Sequence, residues 1–204
     1  LHNRTHSFPT RRSSDLVMPE QASQEPLDIL LTTKGGWSGV VLLNARYDPT
    51  TDSIFLLWTT KWGGDLILSR ASVGETYDAR NWQSTVITSD VITGDFIVDS
   101  AGVLHVTYGT FEGGVIEYTY SKDFGNSWSV STGVFWLTNP DDSAFTHLRL
   151  LQDNIGNLHL TWSENMPNAV GVWQPRLVWH AVVAQLQGEM IGTAEVVLDQ
   201  GREG

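Results

Sequence analysis

Segments read as loops between strands, 163–174 among them, together hold four tryptophans, Trp37, Trp62, Trp136 and Trp173, and the acidic residues Asp90, Glu112, Asp141, Asp142 and Glu164. Lys34 and Lys61 accompany them. An indole face stacks on the C–H face of a sugar ring, and carboxylates accept hydrogen bonds from its hydroxyls, so the combination suits carbohydrate binding. The same residues suit a plainer role, in which tryptophans close the ends of sheets and the charges are solvated. On the first alternative the binding candidates are Trp37, Trp62, Glu112 and Trp173.

Other chemistries are excluded or unsupported. The chain has no cysteine, so disulfides, thiolate catalysis and cysteine–metal sites are ruled out. Its six histidines are scattered, and no metal site is expected. No phosphate-binding loop, Gly-x-Ser-x-Gly elbow or His-Glu-x-x-His motif occurs. A net charge of −11 argues against nucleic acid and against an anionic membrane surface as partners. No apolar stretch approaches the roughly 18 residues that a membrane span requires.

The elements that must position these residues repeat along the chain. Of 204 residues, 41% are hydrophobic and 17% charged, a globular profile, and nine are Trp. Three segments align: Val41 to Trp58, Asp95 to Tyr108, and His147 to Trp162. Each reads as a strand, an Asp-containing turn, a second strand and a closing aromatic. Asp99-Ser-Ala-Gly102 matches Asp153-Asn-Ile-Gly156, 54 residues later, and Leu104-His-Val-Thr-Tyr108 matches Leu158-His-Leu-Thr-Trp162. The first copy has a turn one residue longer. Asp bonds its own backbone in such turns and Gly supplies positive φ. His105 and His159 hold equivalent positions and are expected to pack within the second strand of their units. Third and fourth strands follow each pair, and no segment shows a sustained helical period. Four strands in about 50 residues, repeated, is the arithmetic of β-propeller blades. The chain is therefore expected to be all-β: blade one at 40–90, blade two at 91–137, and blade three with the chain end at 138–204. Residues 17–39 are a linker or an outer strand, with 27–33 as the strand candidate.

Residues 1–16 stand apart. They hold three of the nine arginines and fit neither strand nor helix period. His6-Ser-Phe-Pro-Thr-Arg-Arg-Ser-Ser-Asp-Leu16 resembles one reading frame of a sequencing adapter, which implies a non-native tail on a truncated coding sequence. The Asn3-Arg-Thr5 glycosylation pattern is set aside with it, and no signal peptide is visible.

The most specific motif is Ser121-Lys-Asp-Phe-Gly-Asn-Ser-Trp128, which fits S-x-D-x-G-x-[S/T]-W at every defined position. Asp123 can accept backbone N–H bonds across a tight turn, Gly125 can take the left-handed conformation, Ser121 and Ser127 can bond nearby backbone, and Trp128 can pack between strands. The motif resembles the Asp box, or BNR repeat, of the sialidase superfamily. Ser69 to Trp82 reads as a degenerate copy with an insertion. The resemblance implies a six-bladed disc, roughly twice this length, with the boxes on the face away from the active site. Asp123 then marks the fold and is not a catalytic acid.

Sialidases use a Tyr nucleophile, a supporting Glu, an Asp acid/base and three Arg that grip the substrate carboxylate. No arginine here lies in the family's Arg-Ile-Pro motif. The resemblance leaves Arg149, in an inner strand, and Glu164, after Trp162-Ser163, as the candidates for catalytic positions. A complete set cannot be written, so this fragment alone is expected to be inactive, with missing blades or self-association completing a ring. The expected role is extracellular or cell-surface recognition or processing of a glycan or glycoconjugate, with no cofactor. Two alternatives stay open: an exo-α-sialidase with its catalytic residues partly elsewhere, and a non-catalytic scaffold for protein or cell-wall partners.

Overall fold

The computed structural model describes residues 40–137, 139, 143–183 and 190–199. The expectations for the tail, the 27–33 strand, Lys34 and Trp37, and for Asp141 and Asp142, lie outside the described residues.

Every strand pairing is antiparallel. β1 (Val41–Asp48), β2 (Ser53–Thr59) and β3 (Gly64–Ser72) pair in sequence order, followed by β4 (Gln83–Val98), β5 (Leu104–Thr110), β6 (Val115–Ser121) and β7 (Thr132–Trp136). A second sheet holds β8 (Ala144–Gln152), β9 (Leu158–Pro167), β10 (Trp173–Val183) and β11 (Met190–Asp199).

The seven-stranded run is two blades joined by one long strand. β4 pairs with β3 through residues 83–91 and with β5 through residues 91–98. The change of partner falls at Asp90, whose φ of 65° is left-handed, with register shifts on both sides. β4 is therefore the outer strand of one four-stranded unit and the inner strand of the next. Among the inner strands, β4 packs against both β1 and β8, as successive blades do around an axis.

Alternation along the strands builds two apolar layers between three units. Phe55, Leu57, Leu66 and Leu68 of the first unit meet Phe96, Leu104, Val106 and Tyr108 of the second. Ile116, Tyr118 and Val134 of the second meet Phe145, Leu148, Leu150, Leu158, Leu160 and Trp162 of the third. Phe135, Trp162 and Trp179 cluster at the rim of that second layer, the two indoles stacked at 6.0 Å.

The turns repeat atom for atom. Asp99 Oδ1 accepts the amides of Ala101 (2.9 Å) and Val103 (2.8 Å), and Asp153 Oδ1 accepts those of Ile155 (3.0 Å) and Asn157 (2.8 Å). The second carboxylate oxygen lies 3.3 Å from His105 Nε2 in one unit and 3.2 Å from His159 Nε2 in the other. The equivalent histidines thus fasten the second strand to its turn.

Two local expectations are corrected. Residues 163–174, read as a loop, are mostly strand: β9 runs on to Pro167 and β10 begins at Trp173. Asn168 makes the same turn as Asp99, its Oδ1 accepting from Val170 (3.1 Å) and Val172 (2.9 Å). Pro175 is tolerated inside β10 because the register shifts just after it. In the first unit Ala71, not Ser69, holds the place of Ser121: Ala71 pairs with Ile54 as Ser121 pairs with Leu104. Ser69 instead accepts from Trp58 Nε1 at 2.9 Å.

Candidate functional site

The Asp box and the tryptophan-bearing turns stand at opposite ends of the strands. β6 runs from the cleft end at Val115 to the Asp box at Ser121, seven residues and roughly 20 Å. At the box, Asp123 Oδ1 accepts from Ser121 Oγ (2.7 Å) and the Ser127 amide (2.9 Å), and Oδ2 from Ser127 Oγ (2.6 Å). These bonds, those of Ser127 foremost, hold the carboxyl down at about 2. Gly125 has φ +85° and lies against the neighbouring unit, where a Cβ would come within 2.8 Å of Leu68 Cδ2. Trp128 packs on the first apolar layer. The Asp123 carboxylate and the Ser121 and Ser127 hydroxyls are engaged within the turn itself.

The other end is open. A cleft of about 660 Å³ lies there, with Ile92, Leu137 and Phe145 as apolar wall. Trp62, Phe111, Glu112 and Trp173 also line it, together with Thr146 and Asn165. The structure thus brings Trp62, Glu112 and Trp173 together from three different units. Trp62, Phe111 and Trp173 are 51%, 58% and 49% exposed, so their faces are available to a ligand.

The junction of the first two units positions this cleft. Asp90 O accepts the Phe111 amide at 2.9 Å, and Asp90 Oδ2 accepts the Glu112 amide at 3.0 Å. Val91 O accepts the Gly63 amide at 3.0 Å. Gly63 takes φ +66° beside the Phe111 ring, where its position would put a Cβ 3.6 Å from Phe111 Cγ. Two adjacent residues of β4 therefore hold both the Trp62 turn and the Phe111–Glu112 turn. On the third unit, Thr146 Oγ1 donates to Asn165 Oδ1 at 3.1 Å, which leaves Asn165 Nδ2 as a donor.

Asp95 is fully buried where the inner strands meet. Its Oδ1 accepts from Asn44 Nδ2 of β1 and from its neighbour's amide, Phe96 N, at 2.8 Å. Its Oδ2 accepts the Leu150 amide of β8 at 2.9 Å, with Arg46 Nη2 3.8 Å away. One carboxylate thus ties three units together with its acceptor positions engaged. The sequence alone does not disclose these partners. The signal was present in the spacing: Asn44, Asp95 and Arg149 each stand four residues before the turn aspartates Asp48, Asp99 and Asp153.

Arg149 and Glu164 are not in the cleft. Arg149 is exposed on β8 and donates from Nη1 to Leu148 O at 2.8 Å. Glu164 is buried in the layer between the second and third units and accepts from Trp179 Nε1 at 3.0 Å. Alternation along β9 explains its place, since Leu158, Leu160, Trp162 and Glu164 share one face. Trp136 is exposed at the end of β7. Among the described residues no group of three metal-ligating side chains occurs, and no helix is long and apolar enough to cross a membrane.

No family model and no curated protein matches the chain. Solved structures do. A thermostable family-43 glycoside hydrolase superposes with a TM-score of 0.52 at 11% identity, over 80% of this chain and 55% of the hydrolase. An endo-arabinase from Bacteroides thetaiotaomicron VPI-5482 superposes with a TM-score of 0.39 at 12% identity, over 76% of this chain and 80% of the enzyme. The chain spans about half the length of the family-43 hydrolase. The likeness is one of fold: antiparallel sheets arranged as part of a β-propeller.

Proposed function

We propose that this chain is part of a carbohydrate-recognising β-propeller and that the cleft between Trp62, Phe111, Glu112 and Trp173 receives the sugar. The observation that carries this reading is the convergence of three half-exposed aromatic rings and a carboxylate from three units on one cleft. Rigid aromatic platforms beside a few polar groups are what a saccharide needs, because its rings present C–H faces and its edges present hydroxyls. The fold shared with a family-43 glycoside hydrolase supports glycan chemistry at that broad level. An extracellular or cell-surface setting goes with the role.

Recognition is favoured over catalysis by the described residues themselves. Glycoside hydrolysis commonly uses two carboxylates about 5–10 Å apart. The described lining supplies one, Glu112, while Asp95 and Glu164 are buried and engaged. The Asp box supports a finer reading, a six-bladed BNR-repeat propeller of the sialidase kind. The family-43 likeness is served equally by a ring of another blade number.

Titration of the full chain with oligosaccharides, followed by intrinsic tryptophan fluorescence, tests the proposal. A saturable change is expected, diminished in Trp62→Ala and Trp173→Ala. Binding that survives both substitutions unchanged would place the sugar elsewhere.

A further inference from the structure

The charge of the cleft narrows the kind of sugar, and this inference rests on the carbohydrate reading above. Among the described lining residues Glu112 is the one with a formal charge; the others are aromatic, aliphatic, hydroxyl, amide or glycine. Arg149, the best-placed arginine by sequence, is not part of the lining. Recognition of a sugar carboxylate or sulfate relies on charge-assisted donors, with Arg the usual bidentate partner. Here an acidic sugar would instead meet a carboxylate whose backbone is fixed by Asp90, in a chain of net charge −11.

We infer that the cleft selects uncharged saccharides and that Glu112 is the residue that rejects acidic ones. A neutral sugar loses nothing by this arrangement. Its hydroxyls donate to Glu112 and accept from Asn165 Nδ2, and its ring faces lie on Trp62, Phe111 or Trp173. A carboxylated sugar gains the same stacking but adds a like charge within a few ångströms of Glu112. Between partly solvated charges that repulsion corresponds to about tenfold in affinity, and salt weakens it.

The test is a titration of the full chain with xylotetraose, cellotetraose and maltotetraose, and with sialyllactose and tetragalacturonate, at low and high salt. The expected result is saturable binding of at least one neutral probe, with both acidic probes about tenfold weaker or more at low salt. Glu112→Gln is expected to narrow the preference, raising affinity for the acidic probes about tenfold relative to the neutral one. Sialyllactose or tetragalacturonate binding as tightly as every neutral probe would overturn the inference and leave the carbohydrate reading standing. So would a Glu112→Gln variant with an unchanged preference. If none of the five probes binds, the carbohydrate reading falls and this inference falls with it.

Discussion

Asp90 accepts the backbone N–H of Glu112 through its side chain, Oδ2 to N at 3.0 Å, from a position 22 residues earlier in the chain. Asp90 also sits at φ 65°, which Asn and Asp tolerate better than most residues. Asp90→Asn keeps both an acceptor and that tolerance, so it should bind sugar within about twofold of the parent. Asp90→Ala loses the acceptor and strains the turn. It should weaken binding about three- to tenfold, the loss expected for one hydrogen bond of roughly 1 kcal/mol. Calorimetric titration of the two variants side by side distinguishes clamp from bystander, and equal affinities would remove Asp90 from the site.

The tryptophans should divide the stacking energy. An aromatic contact contributes about 0.5–1.5 kcal/mol beyond area burial, so Trp62→Ala and Trp173→Ala should each weaken binding about three- to tenfold. Trp62→Phe should recover part of the loss. Unfolding curves should hardly change for either alanine variant, since both side chains are half exposed.

Asp95 carries a different expectation, confined to stability. Asp95→Ala leaves the Asn44 side-chain amide and the backbone amides of Phe96 and Leu150 without this acceptor at a buried junction. A loss of about 3–5 kcal/mol in urea unfolding is expected, comparable to breaking other buried charged networks. A loss below about 1 kcal/mol would show that the three units do not depend on this carboxylate.

Acid should weaken the fold in two stages. Burial lowers the pKa of His105 below its ordinary 6.5, against the opposing pull of Asp99. The unfolded chain therefore takes up a proton there before the folded one does, and stability falls as pH drops below about 6.5. Asp123 and Asp153 are both held at about 2, Asp153 despite the burial that works to raise it, through bonds from His159 and Asn157. Their contribution is complete above the ordinary value of 3.8 and disappears as pH falls toward 2. Thermal melts from pH 7.5 to 2.5 should show both stages, and His105→Phe should flatten the upper one alone.

Substitution at the Asp box should separate folding from binding. Asp123→Ala removes three bonds from one turn and should lower Tm. The cleft lies at the other end of the strands, so sugar affinity measured well below Tm should not move.

Much of this architecture was legible in the chain because it is periodic. The Asp-x-x-Gly turns at Asp99 and Asp153, the strands after them and the Asp box all use local chemistry, in which a side chain bonds a backbone a few residues away. Asn168-Ala-Val-Gly171 makes the same turn with Asn in place of Asp, a weaker form of the signature. Trp62, Glu112 and Trp173 could be picked out by type, but not Phe111, Thr146 or Asn165, which reach the cleft only through packing of separate units. Asp95 was hidden for the same reason: its repeat position is visible, while its partners on β1 and β8 lie 51 and 55 residues away.

The unbroken course of β4 joins two things that could have been independent. A strand shared by neighbouring sheets is a hinge pin, and its bend is at Asp90. That residue also holds the Glu112 turn, and the next one holds the Trp62 turn. The spacing of the Trp62 and Glu112 turns, and with it the width of the cleft, is thus set at the same two residues where β4 passes from one blade to the next.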